Sequence, residues 1–413
     1  MKLKILKCER LEGSINISGS KNTTLPILAA SMLSKKTVVL KNIPLITDVL
    51  IMIDIMKSMG VKIKREYHKV IINAKKFNPI INSNDVQKLR GSYYLIGSCL
   101  ARYNICSIKM PGGCNFTSRP IDLHIKAFQE LGYDINFHKD TMYIKKSKTN
   151  VKEVTIEKKS VGTSINVLLA CSLMMSEIKI NNILFEPEVI EVIKFLEKIG
   201  INMVKGSNNI FIMSNHIKNK IKFKIVSDRI ETGSYMLLAA TIKNSHLTIK
   251  HAPIKYMESV INVVKKLGCD VMTKKDIIIV NGNNINGINL DINEYPSFPT
   301  DLQQILSVVL LNAKNESHLK DNIYPDRISH IRELNKMKGN IKYINNKIII
   351  RKSKLVGAKV NVNDLRCGFA LIVAGSIATN KTILENAEII LRGYEKPLIK
   401  LKNIGIKITE YIS

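Results

Sequence analysis

Tryptophan is absent from this 413-residue chain, and aromatic residues make up only 6% of it. A platform of exposed rings for stacking nucleobases is therefore not evident. The seven cysteines (Cys8, Cys99, Cys106, Cys114, Cys171, Cys269 and Cys367) are odd in number and scattered, and no CxxC occurs. That argues against a disulfide framework and against a zinc site, and makes a reducing cytoplasm the expected compartment. Long apolar runs are missing too. The longest, such as 166–175, fall far short of the roughly 20 residues that span a bilayer. Residues 1–7 alternate charged and apolar side chains, with no apolar signal core, so a non-secreted protein is expected. Acidic residues are scarce, 34 against 63 basic, for a net charge of +29. Such a surplus suits nucleic acid, membrane surfaces or anionic substrates. Here the lysines accompany abundant Ile and Asn, as A+T-biased codons would produce, and they are strewn along the whole length. The expectation is therefore solvated faces, with no membrane partner and no nucleic-acid partner despite the charge. Apolar residues at 45% and charged residues at 23% are ordinary for a globular protein of two or three domains.

What is present is a sixfold repeat of about 70 residues. One motif is an amphipathic helix that ends in glycine and runs into a strand. Its copies are 49–60 into 61–64, 124–132 into 133–136, 191–200 into 201–204, 259–268 into 269–272, and 396–405 into 406–409. Glycine supplies the left-handed position that stops such a helix. The sixth copy, 330–339, is degenerate, its glycine arriving one residue late, after Lys338. A second motif keeps the same period: a polar or glycine-containing start opens an apolar helix. These helices are expected at 25–32, 93–100, 165–175, 235–240, 302–311 and 367–377. Being apolar nearly all round, they should be buried. A β-rich stretch follows each, at 38–42, 106–110, 178–182, 247–251, 318–322 and 382–386. Six buried helices are too many for one small core, so two bundles of three, each jacketed by sheet, are expected. Each buried helix begins near a charge: Lys21, Arg90, Lys158, Arg229, Asp301 and Arg366. Unsatisfied N–H groups and the helix dipole make such ends suited to anions.

Eight short motifs occur in order along the chain: Gly19-Ser20-Lys21-Asn22, Pro111-Gly112-Gly113-Cys114, Arg119-Pro120-Ile121-Asp122-Leu123-His124, Ser160-Val161-Gly162, Asp228-Arg229-Ile230-Glu231-Thr232-Gly233, Phe298-Pro299-Thr300-Asp301, Asp364-Leu365-Arg366 and Arg392-Gly393-Tyr394-Glu395. Together they resemble the enolpyruvyl transferase family, in its UDP-N-acetylglucosamine 1-carboxyvinyltransferase branch, over essentially the whole chain. The resemblance implies an α/β fold of two inside-out α/β barrel domains, each of three repeated βαβαβ-type units. One domain would be 21–226, carrying the catalytic cysteine loop. The other would be 1–20 with 227–413, and the active site would lie in the cleft between them. The implied reaction transfers the enolpyruvyl group of phosphoenolpyruvate to the 3′-hydroxyl of UDP-N-acetylglucosamine by addition and elimination, releasing phosphate, in peptidoglycan precursor synthesis. No cofactor and no metal are implied, and a monomer is expected.

By the same resemblance Cys114 is the general acid, open to alkylation by an epoxide such as fosfomycin, and Asp301 is the base for the sugar hydroxyl. Taken alone, Cys114 is a cysteine in a glycine-rich loop near Arg119, where exposure and a lowered thiol pKa are favoured. Cys99, Cys171 and Cys367 lie in apolar helices and read as inert core residues. Taken alone, Asp301 is a first-turn carboxylate offsetting a helix dipole. Lys21, Asn22, Arg119 and Arg392 would surround phosphoenolpyruvate, the arginine fork suiting carboxylate and phosphate. Arg90, Arg119, Pro120, Ile121, Asp122, Leu123, Lys158, Lys159, Ser160, Val161, Asp301 and Ile323 would bind the UDP-sugar. Arg327, Asp364, Arg366 and His124 would support them; a satisfied structural role for His124 is an equal reading.

Between Cys114 and Arg119 the chain reads Asn115-Phe116-Thr117-Ser118. The family usually has a small aliphatic residue at the second of these positions and glycine at the third. Thr117 is stiffer than glycine, which would slow closure of the loop. Three other readings compete. A shikimate-pathway enolpyruvyl transferase would lack the Pro-Gly-Gly-Cys loop, a non-enzymatic polyanion binder would exploit the charge, and a decayed enzyme would keep the fold without turnover.

Overall fold

The structure is a computed structural model that describes residues 1–110, 121–148, 150–218 and 221–411. They form two compact units, one of residues 19–110 with 121–226, the other of 1–18 with 227–411. Each unit has its own apolar core.

The expected buried helices are all present: Lys21–Ser31, Tyr94–Tyr103 and Val161–Cys171 in the first unit, Arg229–Thr241, Gln303–Leu310 and Leu365–Ile377 in the second. Four start on a side-chain cap. Ser20 Oγ accepts from Thr23 N–H (3.2 Å) and Ser160 Oγ from Thr163 N–H (3.3 Å). The carboxylates of Asp228 and Asp364 each take two backbone N–H groups at 2.8–2.9 Å. Such caps satisfy donors that the first helical turn leaves open. The middle helix of each unit starts differently, through a 3₁₀ turn, at Arg90–Tyr93 and at Thr300–Leu302. Polar bonds inside the bundles fix the helices against one another. Ser98 Oγ donates to Ala29 O (2.7 Å), Gly97 N–H to Asn166 Oδ1 (3.0 Å), and Asn312 Nδ2 to Thr241 O (3.1 Å). Gly97 is required there, because a Cβ would stand 2.6 Å from the Asn166 carbonyl oxygen. One expected span is too long: the third helix stops at Cys171 rather than 175, and Met175 is almost fully exposed.

The glycine-terminated helices are Thr47–Ser58, Asp122–Glu130, Pro187–Ile199, Glu258–Lys266 and Pro397–Asn403. Gly60, Gly132, Gly200, Gly268 and Gly405 take φ of +83° to +108°. After the sixth helix, Ser329–Lys336, the left-handed position falls on Lys338 itself (φ +64°). The geometry of the repeat is kept although its glycine is displaced.

The described strands form six four-stranded sheets, three in each unit. Each has one parallel pair at one side and antiparallel pairs beyond it. In the first unit, Glu153–Thr155, helix Val161–Cys171 and Ile178–Asn181 make one βαβ crossover, and those two strands pair in parallel. The ring of sheets is closed by distant strands. Ile221–Lys224 pairs in parallel with Val38–Lys41, and Glu12–Asn16 with His246–Lys250.

Candidate active site

In the second unit three chain segments converge on Asp301. Pro299 leads into the 3₁₀ turn that carries it. Thr300 Oγ1 donates to Asp321 Oδ2 (2.5 Å), and Asp321 Oδ1 accepts the N–H groups of Ile323 and Tyr324 (2.9 Å each), which ties that turn to the 321–324 segment. Arg327 Nη1 donates to Asp301 Oδ1 at 2.7 Å. Arg366, in the first turn of helix Leu365–Ile377, donates to Oδ2 from Nη2 (2.7 Å) and Nε (3.2 Å). Arg366 is supported by the ring of Tyr394 5.6 Å away, and the Tyr394 hydroxyl is hydrogen-bonded to Ser234 Oγ (2.8 Å). Asp364, which caps the same helix, is held by Ser329 Oγ (2.6 Å) and Gln304 Nε2 (3.2 Å).

The electrostatics follow from this geometry. Burial alone would raise the Asp301 pKa; the Arg366 and Arg327 guanidiniums outweigh it and hold the carboxyl well below its ordinary value. Burial works to lower the Arg366 pKa, but the Asp301 charge opposite raises it on balance. Both arginines are almost fully covered (side-chain exposure 5% and 8%), while Asp301 keeps 22% of its side-chain surface accessible. The result is an ionised, rigidly oriented carboxylate, open on one side and weakly basic. The sequence expectation of a base here meets a group in its basic form whose basicity the arginines suppress.

In the first unit Lys21, at the start of its helix, pairs with the buried carboxylate of Asp48 (2.9 Å). Asn22 follows it, half-buried. Arg90 lies 5.9 Å from the Tyr93 ring centre. Tyr93 packs tilted against His124, with ring centres 4.8 Å apart. Asn166 Nδ2 donates to Tyr93 O (2.9 Å) and to His124 Nδ1 (3.1 Å), so that ring nitrogen is the acceptor. Burial first, then the Arg90 charge, depresses the His124 pKa to about 3. The ring is therefore neutral near pH 7 and held by Asn166 and Tyr93. Gly162 belongs to the same knot, since a Cβ there would stand 2.7 Å from the Tyr93 hydroxyl. Ile121 is buried and Asp122 exposed at the head of helix Asp122–Glu130, with Leu123 between these extremes. Lys158 and Lys159 are exposed, followed by half-buried Ser160 and Val161. Ile323 and Arg392 are half-buried in the second unit. Cys114, Arg119 and Pro120 lie outside the described residues. The six described cysteines are buried, and desolvation pushes the Cys171 thiol up to about 12 and raises those of Cys99 and Cys367.

Sequence reasoning did not single out Asp48, Asn166, Asp321, Ser329 or Gln304. Asp48 reads in the sequence as a first-turn acid, and Asn166 as one polar residue in an apolar run. Their partners are supplied by other segments of the chain.

A family model described as EPSP synthase (3-phosphoshikimate 1-carboxyvinyltransferase) matches residues 5–401. A Wolbachia pipientis (subsp. Culex pipiens) protein named UDP-N-acetylglucosamine 1-carboxyvinyltransferase is 35% identical over 410 residues, 96% of each chain. One of the same name from Clostridium botulinum is 35% identical over 416 residues, 98% of this chain and 99% of that one. Among solved structures, the enolpyruvyl transferase NikO from Streptomyces tendae superposes with a TM-score of 0.90 at 15% identity, covering 99% of this chain and 98% of that one. EPSP synthase from Acinetobacter baumannii gives 0.76 at 16% identity, covering 99% and 100%.

Proposed function

The chain belongs to the EPSP synthase (3-phosphoshikimate 1-carboxyvinyltransferase) family of enolpyruvyl transferases, and from that premise we propose that it transfers the enolpyruvyl group of phosphoenolpyruvate to the 3′-hydroxyl of UDP-N-acetylglucosamine. The observation that carries the acceptor is the near full-length identity, about a third, to relatives named for that activity. The Pro111-Gly112-Gly113-Cys114 loop supports the same choice over shikimate 3-phosphate.

In this reading the sugar hydroxyl oxygen bonds to C2 of phosphoenolpyruvate while Cys114 gives a proton to the methylene carbon. The tetrahedral ketal then loses phosphate and a methyl proton, restoring the enol ether; the Cys114 thiolate recovers the methyl proton, and the hydroxyl proton taken up by Asp301 leaves with the phosphate. Lys21, Asn22, Arg119 and Arg392 hold the phosphoenolpyruvate anion, and stabilise charge where it develops. Arg90, the 119–123 segment, residues 158–161 and Ile323 hold the UDP-sugar. Asp301 takes a hydrogen bond from the hydroxyl. Its basicity is the point of control. A substrate anion bound beside Asp301 repels its carboxylate charge, and its proton affinity rises toward that of a working base. No metal or cofactor enters the scheme. The protein acts as a monomer in the cytoplasm.

The test is phosphate release from phosphoenolpyruvate with UDP-N-acetylglucosamine as acceptor, for the wild type and Cys114→Ser. Release should require the nucleotide sugar and collapse in the variant. Release with shikimate 3-phosphate instead would replace the acceptor, and release with neither would overturn the reading.

A further inference from the structure

The lysines that look scattered in the sequence are not scattered on the surface. The sheet Ile221–Lys224, Val38–Lys41, Lys69–Asn73, Lys62–Glu66 buries Ile221, Val38, Leu40, Val70 and Ile72 on its inner side. Strand alternation puts the intervening residues on the opposite face. By register that outer face carries six lysines (Lys41, Lys62, Lys64, Lys69, Lys222 and Lys224) and a single acid, Glu66. Lys224, Lys41 and Lys69 stand side by side on three adjacent strands, about 5 Å apart. Glu66 pairs with Lys64 and Lys69 (2.9 Å each). Among the described residues no carboxylate pairs with the other four.

The surplus differs from sheet to sheet; the outer positions of the sheet Asn289–Ile292, Ser317–Asp321, Lys347–Arg351, Asn340–Ile344 hold Lys320, Lys342, Lys347 and Arg351 against Asp291. On the sheet Asp270–Lys274, Ile277–Asn281, His246–Lys250, Glu12–Asn16, the outer positions hold Lys250 and Lys274 against Asp270 and Glu12. Like charges directly opposite on adjacent strands are destabilising, and Lys224, Lys41 and Lys69 stand so.

We propose that the outer face of the 38–41 sheet is a docking surface for an anionic lipid bilayer. Two features favour a membrane over nucleic acid. The cations of this face are all lysines, without the arginine forks and ring platforms that read nucleic acid. Its apolar members, Val39 and Ile71, lie among the lysines, and Tyr67 at the adjoining hairpin tip is 86% exposed, an interfacial residue at the polar–apolar boundary. The contact is peripheral: no helix of the described residues is long and apolar enough to cross a membrane. Each lysine near an anionic leaflet adds to the attraction, which fades within a Debye length.

The experiment is sedimentation of the full chain with phosphatidylcholine vesicles, with and without phosphatidylglycerol, over a series of salt concentrations. The wild type should bind only the anionic vesicles, and less as salt rises. The face variant Lys41→Gln/Lys69→Gln/Lys222→Gln/Lys224→Gln should bind roughly a hundredfold or more weakly, with phosphate release in vesicle-free buffer unchanged. A control variant, Lys250→Gln/Lys274→Gln/Lys342→Gln/Lys347→Gln, removes the same charge elsewhere and should retain most of the binding. Equal losses in the two variants would assign the binding to net charge and overturn the proposal. So would an absence of wild-type binding to anionic vesicles, or a face-dependent affinity seen with duplex DNA alone.

Discussion

Asp301 is held by hydrogen bonds from two guanidiniums, each itself fixed by packing, so the three side chains behave as one unit. Removing one arginine leaves the other charges buried and incompletely paired, which typically costs about 3–5 kcal/mol; partial exposure of Asp301 places the expectation near the lower end. Arg366→Gln should therefore lower stability by about 3 kcal/mol, read from urea unfolding. It should also shift the Asp301 pKa upward, because the guanidinium that lowers it most is gone. Asp301 is depressed in the fold, so its stabilising contribution is present above its unfolded value and is lost as pH falls through the folded one. In Arg366→Gln that loss starts at the same unfolded-state pKa but ends at a higher pH, and is smaller in total than in the wild type. A variant whose acid limb coincides with the wild type's would contradict the ion-pair account. None of this was legible in the sequence beyond the motifs Phe298-Pro299-Thr300-Asp301 and Asp364-Leu365-Arg366. Arg327 lies 26 residues from Asp301 and Arg366 lies 65 away, and no local pattern announces that they meet.

The repeated helix–glycine–strand element was legible because its signals are local. A left-handed residue must follow each helix, and five of six copies place glycine there. The sixth shows how far backbone geometry outranks residue choice. Lys338 adopts φ +64° and the following Gly339 does not need its freedom. A β-carbon in that region costs about 1 kcal/mol relative to glycine. Lys338→Gly should raise the melting temperature, with a gain of up to about 1 kcal/mol partly offset by unfolded-state entropy. A drop in melting temperature would show that the Lys338 side chain contributes more than its backbone strain costs. The buried helices were legible for a similar reason: an all-round apolar stretch behind a capping residue has few alternatives. Their ends were less so, and the third runs four residues shorter than its apolar pattern because Ser172 leads into a turn that leaves Met175 in solvent.

At the scale of the whole molecule, each unit buries one neutral histidine, His124 in the first and His330 in the second. Among the described residues neither ring nitrogen of His330 has a hydrogen-bond partner. Burial above all depresses its pKa to about 4, with Asp364 opposing and Arg327 assisting; His124 is depressed to about 3. An unfolded histidine titrates near 6.5. Between that value and the folded pKa the unfolded chain holds protons that the folded chain does not. Stability therefore falls as pH is lowered, by about 1.4 kcal/mol per pH unit for each histidine. His330→Leu should leave stability near pH 7.5 little changed and flatten the decline between about pH 6.5 and 4, measured by urea unfolding across that range. An unaltered slope would exclude His330 as a source.

The sequence alone determined the sixfold period, the six buried helices, the family and the reaction class, because caps, glycine stops and short motifs act over a few residues and are written where they act. Tertiary structure decided what depends on distant partners. It closed each ring of sheets with strands drawn from far along the chain, set two arginines on Asp301, and placed His124 in a hydrogen-bonded knot. It also gathered lysines from positions 41 to 224 onto one sheet face. Charge counted along a chain carries no address; strand register and alternation assign it to a surface, and through-space Coulomb interaction acts only there.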